Sequence, residues 1–164
     1  MSASVSHGLW TLDAPLILAS GSAADGPVIG LASAGARVLR KGDGVSIAVG
    51  LWGGLTARAG LLEDDDDAFV AVAASYWAAL VEWYRVARIG AEGAAIHDAV
   101  TGVLARGGLR SLLNPGHLTG HEEWSHTPIR PGSTDRLRSG MHVQVDVIPT
   151  PMKDGWALNC EDSI

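Results

Sequence analysis

The sequence predicts an α+β domain in which an antiparallel sheet is interrupted by a pair of helices. Three changes of period carry that expectation. Residues 45–52 (VSIAVGLW) alternate Val45, Ile47 and Val49 with Ser46, Ala48 and Gly50, the period-two pattern of a strand. Residues 63–90 switch to three- and four-residue spacing through Phe69, Val72, Tyr76, Leu80 and Trp83, the signature of a long amphipathic helix. Residues 142–149 return to period two, with Val143, Val145 and Val147 on one face and Gln144 and Asp146 on the other.

The remaining elements fall into place around these. GSAADGP (residues 21–27) is a loop, and RKGDG (residues 40–44) is a tight turn leading into the first clear strand. A second strand is expected over residues 55–58. The acidic run at residues 63–67 stands where a helix N-terminus favours negative charge, so it reads as a solvated helix start. A second helix is expected over residues 94–106, with Ile96, Val100, Val103 and Leu104 inward and Gly107-Gly108 ending it. His97 on that helix reads as a surface or packing histidine. A last strand is expected over residues 156–164, after a connection rich in Pro and Gly. No repeat or linker divides the chain, so residues 1–164 are expected to form one domain, with residues 1–14 a poorly ordered lead-in.

Composition narrows the function classes. With 47% hydrophobic and 18% charged residues the chain is globular rather than disordered. A formal net charge of −6 argues against a nucleic-acid partner, which calls for a basic face. The single Cys160 excludes an internal disulfide and fits a reducing compartment, here the cytoplasm. The N-terminus lacks the charged and apolar regions of a secretory signal, and no stretch reaches the ~20 apolar residues of a membrane span.

Candidate chemistry concentrates in two places. Three of the six histidines, His117, His121 and His126, lie in NPGHLTGHEEWSHTP together with Glu122 and Glu123. The order is not that of the helical zinc motif His-Glu-x-x-His, and Pro115, Gly116 and Gly120 argue against a helix there. The second place is the pair Asp146 and Glu161. If the last two strands form a hairpin turning near residues 153–154, these carboxylates fall within about two residues of facing each other. Like charges on one sheet face are tolerated when a cation or a proton lies between them, or when both face water. GSAADG lacks the Lys-Ser/Thr of a phosphate loop, there is no Gly-x-Ser-x-Gly elbow, and Cys160 has no nucleophile signature.

Three motifs, in order, resemble the catalytic half of the pita-bread metallopeptidases, the group of methionine aminopeptidase, prolidase, Xaa-Pro aminopeptidase and creatinase. Gly116-His117 followed by His126-Thr127-Pro128 resembles the family's Gly-His-Gly … His-x-Pro segment. LRSGMHVQVD (residues 137–146) resembles its Leu-x-x-Gly-Met-x-x-x-x-Glu strand, and NCEDSI (residues 159–164) its terminal Glu-Asp-Thr/Ser strand. ASG (residues 19–21) and RVLRKGDGVSIAVG (residues 37–50) extend the likeness upstream. The resemblance implies a pita-bread-like fold and a hydrolase acting on peptide or amide C–N bonds. In the family two Asp, one His and two Glu hold a pair of divalent metals that activate water. By the resemblance His117 takes the metal-histidine position, Asp146 and Glu161 the two Glu positions, and His126 the second, substrate-facing histidine, with His121 its competitor. The first Asp position falls on Ala48, the second near Gly54 or Leu55, and the upstream Pro-His reads Pro27-Val28.

These departures imply at most one weakly held divalent ion (Mn, Co or Zn), at His117, Asp146 and Glu161. The expected function is a peptidase-family domain with a degenerate metal site and weak or no metallopeptidase activity. Two alternatives stay open: a metal-independent creatinase-like C–N hydrolase, and a non-catalytic binding or dimerisation module. His117, His126, Asp146 and Glu161 are expected to converge on one concave face, with Trp52 or Trp124 near its rim. Set against the family, the chain is short at both ends, as a fragment or a reduced member would be, which favours a homodimer.

Overall fold

A computed structural model describes residues 17–30, 32–51, 54–63, 65–120 and 125–164. The lead-in, Trp52, Trp124, His121, Glu122 and Glu123 therefore lie outside the described residues. Strand β1 (Ile17–Gly21) opens the sheet. The turn before the next strand forms because Gly42 takes a φ of +88°, while the Asp43 carboxylate accepts from the Arg40 backbone N–H and from Arg37. Those donors hold the Asp43 carboxyl below the usual carboxylate range, the Arg40 backbone bond first. Strands β2 (Gly44–Leu51) and β3 (Gly54–Leu61) follow as a hairpin. β3 runs well beyond the expected 55–58, because it is a ladder partner on both sides, to β2 and to a strand near the chain's end.

Asp66 caps helix α1 (Asp67–Val86) by accepting from the Phe69 N–H. The helix stops before the expected Gly90. The next residues are drawn into other bonds: Gly90 donates to the Leu137 carbonyl, and Leu137 donates to that of Ala91. Helix α2 (Gly93–Arg106) packs against α1. Short strands β4 (Arg110–Ser111) and β5 (His117–Leu118) lead to β6 (Val143–Asp146), β7 (Pro149–Thr150) and β8 (Asn159–Ser163). The expected strand over 142–149 is thus broken. The chain leaves the ladder at Val147, ahead of Pro149 and Pro151, neither of which has an N–H to donate, and β7 pairs with β4 instead.

The six-stranded sheet has the order β1-β2-β3-β8-β6-β5, and every pairing in it is antiparallel. Its two faces have different work. On one, Val143, Val145, Leu158 and Cys160 pack beneath Tyr76, Leu80 and Trp83 of α1 and Ile96, Val100 and Leu104 of α2. The Tyr76 hydroxyl anchors this layer by donating to the Cys160 carbonyl and accepting from the Cys160 N–H at 2.8 Å. Burial pushes the Cys160 thiol pKa up, so the thiol is an inert core group. Tyr76→Phe keeps the ring and orphans the Cys160 N–H. It should cost about 1–3 kcal/mol in chemical denaturation, whereas an unchanged midpoint would show that the hydroxyl is idle.

Candidate active site

The other face of the sheet carries His117, Gln144, Asp146, Asn159 and Glu161. Directly paired residues of an antiparallel sheet point to the same side, and the register runs unbroken across four strands. Ala48 pairs with Ala57, Ala57 with Glu161, and Glu161 with Asp146. One row over, Leu55, Ser163, Gln144 and His117 share that face, since Gln144 pairs with both Ser163 and His117. Asn159, two residues before Glu161, lies on it as well. The expected proximity of Asp146 and Glu161 is therefore realised as a direct cross-strand pair.

Gly116 sets the position of His117. Its φ of +135° and its close approach to the β6 backbone leave no room for a side chain: a Cβ there would lie 2.7 Å from the Gln144 carbonyl oxygen. The preceding Pro115 carbonyl accepts from the Trp83 indole N–H at 2.6 Å, which ties this loop to the helical core. His117 is buried; its Nδ1 lies 3.1 Å from the Leu118 carbonyl and its Nε2 3.9 Å from Asp146 Oδ2.

Glu161 is clamped by two amides. Gln144 Nε2 donates to one carboxylate oxygen at 3.1 Å and Asn159 Nδ2 to the other at 2.5 Å. Ser163 Oγ donates to Gln144 Oε1, which fixes the amide with its nitrogen toward Glu161, and Leu55 N–H donates to Ser163 Oγ in turn. Gln144 is fully buried and Asp146 nearly so, where polar groups require partners. Neither Gln144 nor Asn159 stood out as functional in the sequence. The signal was there, because each sits two residues before a carboxylate and so shares its face.

His126 does not join this group. It bridges to Leu118, whose side chain alternates away from that of His117, and its Nε2 lies 3.9 Å from Asp135 on the exposed surface. His117, Asp146 and Glu161 thus share one face of the sheet, without forming a three-residue group able to hold a metal ion among the described residues, while His126 lines an open cleft on the far side with Leu118, Arg136 and Met141. Directly in line with Ala48 and Glu161 stands Ala57, and Leu55, near which the family's second Asp position is expected, lies one row over on the same face.

No protein-family model matches the chain, and no curated protein matches it. Solved structures do. The prolidase from Pyrococcus horikoshii OT3 superposes with a TM-score of 0.76 at 18% identity, over 93% of this chain and 44% of that one. The dipeptidase PepE from Mycobacterium ulcerans gives 0.67 at 26% identity, over 92% and 41%. The methionine aminopeptidase from Rickettsia prowazekii gives 0.68 at 17%, over 90% and 66%. The fold is the pita-bread fold of prolidases and aminopeptidases. This chain spans less than half the length of the prolidase and the dipeptidase. No helix among the described residues is long and apolar enough to cross a membrane.

Proposed function

We propose that this chain is the catalytic-side portion of a peptidase-type pita-bread domain whose metal-dependent hydrolysis is weak or absent. One observation carries this reading. In the carboxylate row two of the four positions, Ala48 and Ala57, are buried alanines. A pair of dications needs anionic oxygens to neutralise and bridge it, and the row offers only Asp146 and Glu161. The Glu161 oxygens, moreover, accept from amide N–H groups, which serve an anion in place of a cation. The residues present do not fit a metal pair: among the described residues no three His, Cys, Asp or Glu side chains are grouped so as to hold an ion, and one weakly held Mn, Co or Zn ion at His117, Asp146 and Glu161 is the most this face would take. The face then serves to bind a small peptide or amide, in the cytoplasm, where a lone reduced Cys160 is at home.

The test is hydrolysis of Xaa-Pro dipeptides by the purified chain with Mn²⁺, with Co²⁺ and with chelator. The expected result is no stimulation by either metal. Turnover that rises with metal and collapses in Asp146→Asn would overturn the reading. The close His117–Asp146 pair beside Glu161 favours a second reading, metal-independent C–N hydrolysis by acid–base groups. Under it, turnover survives chelator and is lost in His117→Ala.

A further inference from the structure

Helix α1 is apolar on two faces, and only one of them is covered by this chain. Tyr76, Ala79, Leu80 and Trp83 face the sheet and α2. On the opposite side Val70 is 62%, Trp77 47%, Val81 66% and Tyr84 45% exposed, and Ala71, Ala74 and Ala78 lie open between them. Between Asp67 and Glu82 the helix carries no charged residue. A helix that is apolar all round is a buried helix.

The spacing of the exposed stripe is specific. Asp67, Val70, Ala74, Trp77, Val81 and Tyr84 follow one another at three, four, three, four and three residues, the seam of a heptad repeat. Such a seam packs knobs into holes against another helix bearing the same repeat. The stripe is also complementary to itself when reversed. About a two-fold axis near Trp77, Val70 falls opposite Tyr84 and Ala74 faces Val81 with an offset of one residue, so a smaller residue meets a larger one on either side of a central Trp77 pair. The ends match in charge. Asp65, Asp66 and Asp67 open the helix, while Arg85 lies in its last turn and Arg88 just beyond, at nearly the same distance from the axis. Arg85 is already paired with Glu82, whereas Arg88 is exposed and makes no ion pair among the described residues.

We infer that α1 is a dimerisation helix, and that its occupant is α1 of a second copy, antiparallel, in a two-fold symmetric interface. The same patch serves both copies, as a closed two-fold dimer requires. This surface is independent of the polar sheet face and of what that face binds.

The test is sedimentation velocity of the chain across a concentration series. A reversible dimer is expected, with Val81→Glu monomeric while its circular dichroism and melting temperature stay those of a folded chain. Charge reversal distinguishes this seam from any other. Arg88→Asp should raise the dimer dissociation constant by about three- to tenfold at low salt. Adding Asp67→Arg to it should bring the constant back to near the parent value, because residue 67 meets residue 88 only in the antiparallel pairing. Three results would each overturn the inference: a parent that stays monomeric at ~100 μM, a dimer indifferent to Val81→Glu, or a double reversal weaker than the single one. A monomer with the α1 face shielded from exchange would also overturn it, and would mean that another segment of a longer protein covers the helix.

Discussion

Replacing Ala48 and Ala57 together by aspartate should convert a chain indifferent to Mn²⁺ into one that is stabilised by it. With Ala48→Asp and Ala57→Asp added to Glu161 and Asp146, the row would carry four carboxylates across four adjacent strands in register. At a hundredfold excess over the dissociation constant, binding to the folded state alone is worth about 2.7 kcal/mol. For a chain of this size that corresponds to a melting temperature about 5–10 °C higher with metal than without. In chelator the variant should melt below the parent, since two new carboxylates would crowd a buried face without a counter-ion. A variant with no metal-dependent gain would mean that this row is not a latent metal row, and that the likeness to the peptidases is one of fold alone.

The second large effect belongs to Trp83. It is fully buried in the core, and its indole N–H donates to the Pro115 carbonyl two residues before His117. Trp83→Ala should cost about 3–5 kcal/mol from the cavity and lost burial. That is a large part of the roughly 5–15 kcal/mol that holds a typical domain folded. Trp83→Phe refills most of the volume but leaves the carbonyl without its donor, and should cost about 1–3 kcal/mol. Its diagnostic readout is hydrogen exchange: residues 115–118 should exchange faster while the amides of α2 stay protected. Uniform loss of protection across the chain would instead make Trp83 a packing residue with no hold on the histidine loop.

Much of this architecture was legible because it rests on local periodicity. The three-four spacing of Tyr76, Leu80 and Trp83 and the alternation of Val143 and Val145 are set by which face each residue buries, and burial is the strongest term available to the sequence. That Asp146 and Glu161 would fall within about two residues of facing each other was legible from the same alternation, and the register pairs them directly. What sequence patterning could not supply was register between strands distant in the chain. The placement of Ala57 opposite Ala48 depends on the geometry of the β2–β3 turn, and a slip of one residue would reverse every side chain. His126 depends on the same unseen pairing. Motif order puts it near His117, whereas its bridge to Leu118 leaves its side chain exposed, 3.9 Å from Asp135. The breaks at Gly90 and Pro149 were set by tertiary bonding and by the missing proline donor, neither visible in hydrophobic patterning.

The proposal that Ala48 and Ala57 leave the carboxylate row unable to hold a metal pair is tested most directly by metal content. The parent chain is purified, equilibrated with Mn²⁺ or Co²⁺, dialysed and analysed for bound metal per polypeptide. One equivalent or less is expected, displaced readily by chelator and abolished by Glu161→Gln. Two equivalents retained per chain would contradict the degenerate-site reading.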